Sequence, residues 1–418
     1  MVLIILFLLL TVLPLTAVAQ KTAFEAVVID AQNRRPLPFA SVYVNQSAST
    51  ITNAEGAFTI RCDTADVLRV SYVGYRTVRL QASQAGRIVE LQPMENMLQE
   101  VTVKPLDLKT LIRKTTRETR RQLRKYEKRE SCFFYRQTSF SDTTCFELME
   151  AFLKARSAVF LQDLFLLKGR FAGIQPDSLH RYAFYTNFFT VSELPMLTRY
   201  DYTGNTDVKP LTRNHRDFYD LDYDILADGD DRLVAVHFTP KEHVRKAVLD
   251  VTLYIDPKTY RLRKMEGRNR NVRTLHKDYY VQQLSDSVKT LKKVISLDTA
   301  TFNLTVNMTE ERGFLEVQSV YIDEQHEQYG KPLLTRSILF NVGIPKLSHL
   351  TSDLVSESEG SRVRSFGDLH KYIREQGYDP EFWHENETVR LTPLEERVMR
   401  LFEHQNLFGT MEPDRSDP

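Results

Sequence analysis

The pattern of apolar and polar positions predicts a chain built mainly of β-strands. Between residues 24 and 103 apolar and polar residues alternate with a period of two, which is typical of half-buried strands. Turn residues interrupt the alternation at Arg35-Pro36 and between Asn53 and Gly56, where Pro fixes φ and Gly tolerates positive φ. This segment predicts a seven-strand β-sandwich with strands near 24–30, 39–45, 56–61, 66–73, 75–80, 87–92 and 98–103.

A helix is predicted over about 107–128, and it is strongly basic. Its buried stripe recurs every three or four residues, through Leu108, Leu111, Ile112, Thr115, Thr119, Leu123 and Tyr126. Its other faces carry Lys109, Arg113, Lys114, Arg117, Arg120, Arg121, Arg124, Lys125, Lys128 and Arg129. Such a face could contact an anionic membrane peripherally or an acidic partner. The narrow stripe lacks Trp and Phe, which favours a simply solvated face.

Residues 131–350 predict a larger curved antiparallel β-sheet. Asp256-Pro257 starts a type I turn and predicts a hairpin between strands at 251–256 and 260–266. One helical interlude is expected near 176–190. The other strands are expected at 133–137, 233–240, 289–296, 301–308, 314–323 and 333–342.

The C-terminal part predicts a tail that ends in a helix. Thr392 is expected to be the N-cap, Pro393 the first helical residue and Glu395 the partner in a capping box. Trp383 is expected to anchor this tail on the sheet. The predicted buried face of the helix contains Leu394, Val398, Leu401 and Phe402.

The first twenty residues predict export. Met1 to Ala19 carry no charge, Val2 to Leu10 are all apolar, and Ala17-Val18-Ala19 has the form of a signal peptidase site. The expected location is the periplasm or the outer membrane, and no later stretch is apolar enough to predict a membrane-spanning helix. The net charge of +1 favours no class of partner, and export argues against nucleic acid.

The resulting division of the chain has six parts. It consists of a signal peptide (1–20), a sandwich (21–104), a basic linker helix (105–130), a β-rich domain (131–350), a tail with a helix (351–410) and a disordered end (411–418).

The order Val27-Val28-Ile29-Asp30, Phe39-Ala40-Ser41-Val42, Glu55-Gly56-Ala57-Phe58 and Val73-Gly74-Tyr75 resembles the carboxypeptidase-like regulatory domain. That domain is a transthyretin-like β-sandwich found in exported proteins of Bacteroidota type, including TonB-dependent receptors. The resemblance implies a non-catalytic appendage.

Later segments extend the resemblance to proteins in which this domain precedes an uncharacterised β-rich domain. These segments are Phe134-Tyr135-Arg136-Gln137, Leu148-Met149-Glu150-Ala151, Phe238-Thr239-Pro240-Lys241, Leu253-Tyr254-Ile255-Asp256 and Glu381-Phe382-Trp383. That group implies no established activity, so it supplies no catalytic, cofactor-binding or metal-binding residue. The curved sheet is also similar to the half-barrel of periplasmic lipoprotein carriers.

Motifs for catalysis are mostly missing. His384 and Glu387 have the spacing of a zinc half-motif, but His404 follows too closely to be the distant third ligand. Two carboxylate groupings, Glu147 with Glu150 and Asp228 with Asp230 and Asp231, have no motif around them, and the second is expected in a hairpin turn. Asp30 and Glu55 are expected to be turn residues rather than calcium ligands, and His237 a packed or surface histidine.

The sequence does not decide whether two of the three cysteines form a disulfide. Cys132 and Cys145 flank a predicted hairpin and could pair across it, which would leave Cys62 over. Three unpaired thiols are the favoured alternative.

Two functions from different classes remain. The first is a non-catalytic envelope protein with no cofactor, in which the sandwich and the β-rich platform bind a protein, a glycan or a lipid. The alternative is a carboxypeptidase-type or other hydrolase whose site is assembled from scattered residues. A lesser alternative is a lipid or lipoprotein carrier, or a component of TonB-dependent transport.

Overall fold

The computed structural model describes residues 22–44, 48–84, 86–97, 106–126, 131–141, 144–157, 162–175, 210–212, 214–245, 248–270, 299–311, 314–328, 331–342, 361–363, 369–386 and 388–413. The predicted signal peptide, the strands predicted at 98–103 and 289–296, and the helix predicted near 176–190 lie outside these residues.

The N-terminal part is a sandwich of two small sheets, which we call the sandwich unit. One sheet has the order β4-β1-β7, and the other has the order β3-β2-β5-β6. The strands are β1 (Thr22–Asp30), β2 (Ser41–Val44), β3 (Ala48–Ile51), β4 (Ala57–Cys62), β5 (Val67–Ser71), β6 (Val78–Gln81) and β7 (Ile88–Leu91). The core lies between the sheets, where alternate residues such as Val42, Phe58 and Leu68 are completely buried.

The predicted β-sandwich is confirmed: six of the seven predicted strands are present, and β3 is the seventh strand of the described sandwich. β3 was not predicted, because Ala48-Ser49-Thr50 has little hydrophobic alternation. Its polarity has a structural reason, since the buried Thr50 hydroxyl donates to the carbonyl of Thr388 at 2.7 Å. β8 (Glu95–Met97) leaves the sandwich unit and pairs with β12 (Tyr219–Asp228).

The second part is one large sheet, which contains thirteen strands in the described residues. From one edge to the other the order is β19-β11-β10-β9-β18-β17-β16-β15-β14-β13-β12-β8, with β20 beside β11. Besides β8 and β12, its strands are β9 (Ser131–Ser141), β10 (Thr144–Ser157), β11 (Gln162–Gln175), β13 (Asp231–Pro240), β14 (Val248–Ile255), β15 (Leu262–Arg270), β16 (Thr299–Glu311), β17 (Phe314–Gln328), β18 (Lys331–Val342), β19 (Ser361–Val363) and β20 (Met411–Pro413). The predicted hairpin at Asp256-Pro257 joins β14 to β15.

The basic helix α1 (Leu108–Tyr126) packs inside the curve of this sheet instead of linking two separate domains. Leu111 and Ile112 of α1 belong to one buried cluster with Met149 of β10 and Leu253 of β14. β10 and β14 are six strand spacings apart in the sheet order, or about 29 Å if the sheet were flat. A helix about 10 Å wide can pack against both of these strands in one core only if the sheet curves around it. We call this side the inner face.

The C-terminal helices divide between the two faces of the large sheet. α3 (Leu369–Gln376) lies on the inner face, where Ile373 packs so closely over Gly169 that a Cβ there would be 2.4 Å away. α4 (Pro380–Glu385) and α5 (Pro393–His404) lie on the outer face. A shorter helix, α2 (His215–Phe218), precedes β12.

The tail confirms its predicted anchors and corrects two details. Trp383 is buried and stacks on Phe152 at 5.4 Å, and the capping box of Thr392 and Glu395 is present. The predicted buried face of α5 was wrong in part, because Leu394 and Leu401 are 37% and 45% exposed. Glu395 turns toward the sheet and accepts a hydrogen bond from Thr138 at 2.9 Å. The residues of α5 buried on this side are Met399 and Phe402.

The predicted disorder from residue 411 is also corrected. Met411–Pro413 form β20, which pairs in parallel with the end of β11, and residues 414–418 lie outside the described part.

None of the three cysteines forms a disulfide with another described residue. The pairing register explains why Cys132 and Cys145 do not bond: Cys132 lies opposite Lys154 and Cys145 opposite Phe140, at opposite ends of the β9–β10 hairpin. The two cysteines are therefore eight residues apart along the strand direction, which corresponds to about 27 Å.

Candidate functional site

The sandwich unit meets the large sheet through a row of polar side chains on the outer face. In β13, β14 and β15 the inner positions Val236, Leu253 and Met265 lie opposite one another in the core. The neighbouring rows therefore point outward, and they carry His237, Thr252, Tyr254, Lys264 and Glu266.

Lys264 is the centre of this polar row. Its side chain is buried, and its Nζ donates to the Tyr72 hydroxyl at 3.0 Å and lies 2.6 Å from Glu266 Oε2. Glu266 also accepts a hydrogen bond from the Tyr254 hydroxyl at 2.5 Å. Burial alone would lower the pKa of Lys264, but Tyr72 and Glu266 outweigh it and raise that pKa above its usual value. The ammonium group thus stays charged where the two units meet.

A further ion pair ties the units together, and a hydrogen bond inside the sandwich unit holds the segment that carries it. Within that unit Tyr75 donates its hydroxyl proton to Asp30 at 2.8 Å, and burial together with that carboxylate raises the pKa of Tyr75. Arg76 of the sandwich unit lies 2.9 Å from Asp228 at the end of β12. These bonds have specific geometry, so they fix how the sandwich unit sits on the sheet.

The tail makes a third connection. Asn53 of the sandwich unit donates to the carbonyl of Leu391 at 3.1 Å, and Arg390 lies 3.0 Å from Glu25. The tail that Trp383 anchors on the large sheet therefore also holds the sandwich unit.

A cleft of about 360 Å³ remains open between the units. One wall is the outward face of the four-stranded sheet, where Tyr43 of β2 and Arg69 of β5 are directly opposite each other. The other wall consists of the β12–β13 turn and the β14–β15 turn. Among the described lining residues, four are cationic and two are acidic: Arg69, Arg232, Lys258 and Arg263 against Asp231 and Asp256. We take this cleft as the candidate functional site.

A β-bulge supplies one of the cations. Tyr254 pairs with Lys264 and Ile255 pairs with Leu262, so Arg263 is the extra residue of β15. The bulge keeps Leu262 and Met265 in the core and places Arg263 in the cleft lining.

Two buried charge clusters lie away from the cleft. Glu150 is bound by Arg136 at 2.6 Å and by Arg170 at 2.5 Å on the outer face. Glu147, on the inner face, accepts hydrogen bonds from Gln137 at 3.0 Å and Ser139 at 2.8 Å and lies 2.5 Å from His370 Nε2. Both clusters are satisfied inside the protein, which makes them parts of the fold.

The sequence-predicted candidates that lie in the described residues are not brought together in one site. His384 and His404 are exposed on separate helices, and Glu387 lies outside the described residues. Asp228, Asp230 and Asp231 surround Gly229 in the expected hairpin turn, where Gly229 has a φ of 59°. His237 contacts Asp224 at 3.0 Å and Thr252 at 2.9 Å at the partly exposed edge of the polar row. In the part of the chain that the structure describes, no three His, Cys, Asp or Glu side chains are grouped to hold a metal ion.

Helix α1 presents its basic residues to solvent. Lys109, Arg113, Arg117, Arg120 and Arg121 are exposed, and Arg121 pairs with Glu118 at 2.7 Å. Leu123 to Arg129 lie outside the residues whose side chains are described. Over the described ranges, no helix has the length and apolar character needed to cross a membrane.

Comparison with known proteins identifies the first unit. Residues 25–103 match the family model described as CarboxypepD_reg-like domain, which confirms the predicted resemblance. No curated protein matches the chain. Among solved structures, a LolA superfamily protein from Nitrosomonas europaea aligns with 57% of this chain and 92% of that protein, at 10% sequence identity and a TM-score of 0.21.

Proposed function

We propose that this protein is an exported, non-catalytic binding protein of the cell envelope, and that its ligand occupies the cleft between the sandwich unit and the large sheet. The observation that carries the proposal is the open, polar cleft between two units that are held in register by the hydrogen bond from Lys264 to Tyr72 and by the ion pair of Arg76 and Asp228. A site with fixed walls binds without losing much conformational entropy.

A bulky substitution in the cleft lining tests whether the ligand binds there. Thr77 lines the cleft and is exposed, so Thr77→Trp should fill the site without disturbing the core. Ser83→Trp adds the same ring at an exposed position outside the lining and serves as the control. Both proteins and the wild type would be applied to arrays of defined glycans, peptides and lipids. We expect a ligand that Thr77→Trp loses and Ser83→Trp keeps. The absence of any ligand with this behaviour would contradict the proposal.

Export has its own test. The apolar start and Ala17-Val18-Ala19 support cleavage before Gln20. N-terminal sequencing of the envelope fraction should find Gln20 or a close neighbour as the first residue. An envelope protein that retains Met1 would contradict the export mechanism.

The hydrolase alternative predicts turnover. Purified protein would be incubated with peptides that have free C-termini, and its zinc content would be measured. Stoichiometric zinc that disappears with peptide cleavage in His384→Ala would overturn the non-catalytic assignment. A ligand of the lipid class, lost in Thr77→Trp, would instead support the carrier alternative.

A further inference from the structure

Two arginines lie side by side on the outward face of the four-stranded sheet, and one of them, Arg69, lines the cleft. Arg69 of β5 is directly opposite Arg79 of β6 in the antiparallel register. Both side chains point outward, because the alternating residues Leu68 and Val70 are in the core. Like charges directly opposite each other destabilise a sheet. The described residues provide no carboxylate that forms an ion pair with either guanidinium. A bound anion would relieve this repulsion.

Arg69 is also held in a defined orientation. Its guanidinium lies 4.7 Å from the centre of the Tyr43 ring, the arrangement of a cation–π contact. A guanidinium fixed in this way offers its fork of N–H donors to solvent, and that fork matches a carboxylate.

The opposite wall adds cations, and one of its two acids, Asp256, is engaged within its own turn. Arg232 is exposed just after the β12–β13 turn, and Arg263 is placed in the lining by its bulge. Asp256 is engaged in its own turn, where Oδ1 accepts the backbone N–H groups of Lys258 and Thr259. Cations on both walls of a narrow cleft concentrate a positive potential between them.

The remaining lining favours a hydroxyl-rich ligand over an acyl chain. Ser41, Ser71 and Thr77 provide hydroxyl groups, and Tyr43 and Tyr72 provide both hydroxyls and ring edges. A site of about 360 Å³ with this lining is suited to a few sugar units.

We infer that the cleft binds an acidic saccharide, whose carboxylates are held by Arg69 on one wall and by Arg232 on the other, while Arg79 adds positive charge next to Arg69. This inference rests on the proposed binding function and names its ligand class.

The test compares ligands that differ only in charge. The chain without its predicted signal peptide would be titrated calorimetrically with oligosaccharides of galacturonic, glucuronic and sialic acids, with their methyl esters, and with oligoglutamate. We expect at least one acidic saccharide to bind, its ester to bind at least tenfold more weakly, and added salt to weaken binding. Arg69→Gln and Arg232→Gln should each weaken binding about tenfold, which is the loss of one charge-assisted contact. Arg61→Gln, an exposed arginine on β4 in the other sheet, should bind like the wild type.

A second measurement separates a binding role from a structural one. Arg79→Gln should weaken binding and yet raise the melting temperature of the ligand-free protein by about 1–2 °C, because it removes the repulsion from Arg69. Equal binding of acid and ester, tighter binding of oligoglutamate, or no acidic saccharide bound at all would each overturn the inference. A neutral ligand lost in Thr77→Trp would overturn it while leaving the proposed binding function in place.

Discussion

At the scale of single residues, Glu147 and Glu150 show how a strand separates neighbours in sequence. Because they are three residues apart on β10, they point to opposite faces of the sheet. Each then meets partners that no local motif announces: Arg170 lies 20 residues from Glu150, and His370 lies 223 residues from Glu147. Sequence reasoning found the two carboxylates but could not find their partners.

Glu150→Gln should destabilise the protein by about 3–5 kcal/mol at pH 7, because Arg136 and Arg170 would stay buried without their carboxylate. Burial alone would raise the pKa of Glu150, but Arg170 and Arg136 outweigh it and lower that pKa below its usual value. A lowered pKa gives stability that is present above the unfolded-state pKa and is lost as the pH falls through the folded-state pKa.

The wild type should therefore lose stability below about pH 4.5, and Glu150→Gln should lose less over the same range. Urea unfolding at pH 7, 5 and 3 measures how the free energy of unfolding of each protein changes with pH. Glu242→Gln, at an exposed turn residue, should follow the wild type. If the free energy of unfolding changed equally with pH in the wild type and in Glu150→Gln, the cluster of Glu150 with Arg136 and Arg170 would not be the acid-sensitive element.

Trp383→Ala should destabilise the protein by about 3 kcal/mol or more, through lost packing on Phe152 and a residual cavity. His384→Ala changes the exposed neighbour on the same helix and should alter the melting temperature little. Thermal melts of both variants decide the matter. A Trp383→Ala protein as stable as the wild type would mean that this ring does not anchor the tail.

Thr115→Val should stabilise the protein by about 1 kcal/mol. The Thr115 hydroxyl is completely buried on the inner side of α1 and has no hydrogen-bond partner among the described residues, and valine keeps its shape. Thr116 is the matched control, because its hydroxyl donates to the carbonyl of Ile112 at 2.7 Å and Thr116→Val should bring no gain. The midpoints of urea unfolding measure the difference. Destabilisation by Thr115→Val would reveal a polar partner for this hydroxyl inside the curve of the sheet.

At the scale of elements, local chemistry decided what could be predicted. The Asp256-Pro257 hairpin, the capping box of α5 and the stripe of α1 depend on residues close in sequence, and all three are present. The buried face of α5 was rotated because Glu395 bonds to Thr138, 257 residues away. The position of α1 inside the sheet was missed for the same reason: the stripe predicts a buried face but does not name the surface that covers it.

The sandwich unit should fold without the rest of the chain. A fragment of residues 21–104 should unfold cooperatively, since its two sheets enclose their own core. A fragment ending at residue 94 should melt at the same temperature, because β8 pairs with β12 of the large sheet. Circular dichroism melts compare the two. If neither fragment showed an unfolding transition, the sandwich unit would not fold independently. If the fragment 21–104 were more stable than the shorter one, residues 95–104 would pack on the sandwich unit.

At the scale of the whole molecule, the cleft was beyond sequence reasoning. Its walls come from β2, β5 and two turns of the large sheet, and the register between them is set by Lys264 and Tyr72, which are 192 residues apart. The basic face of α1, in contrast, was predicted from sequence, and its described cations are exposed as a solvated face would be, except for the half-buried Lys114, which donates to the Tyr260 hydroxyl. The CarboxypepD_reg-like domain was also predicted, because its turns and alternation are local.

Hydrogen exchange of the chain without its predicted signal peptide, with and without its tightest saccharide ligand, is the sharpest test of binding in the cleft. Ligand binding should slow exchange in β5, in β6 and in the turns at 229–232 and 256–261, which frame or adjoin the cleft. Exchange in β4, on the far side of the sandwich unit, should not change. Protection confined to α1 and the inner face, or no protection at the cleft, would contradict the account.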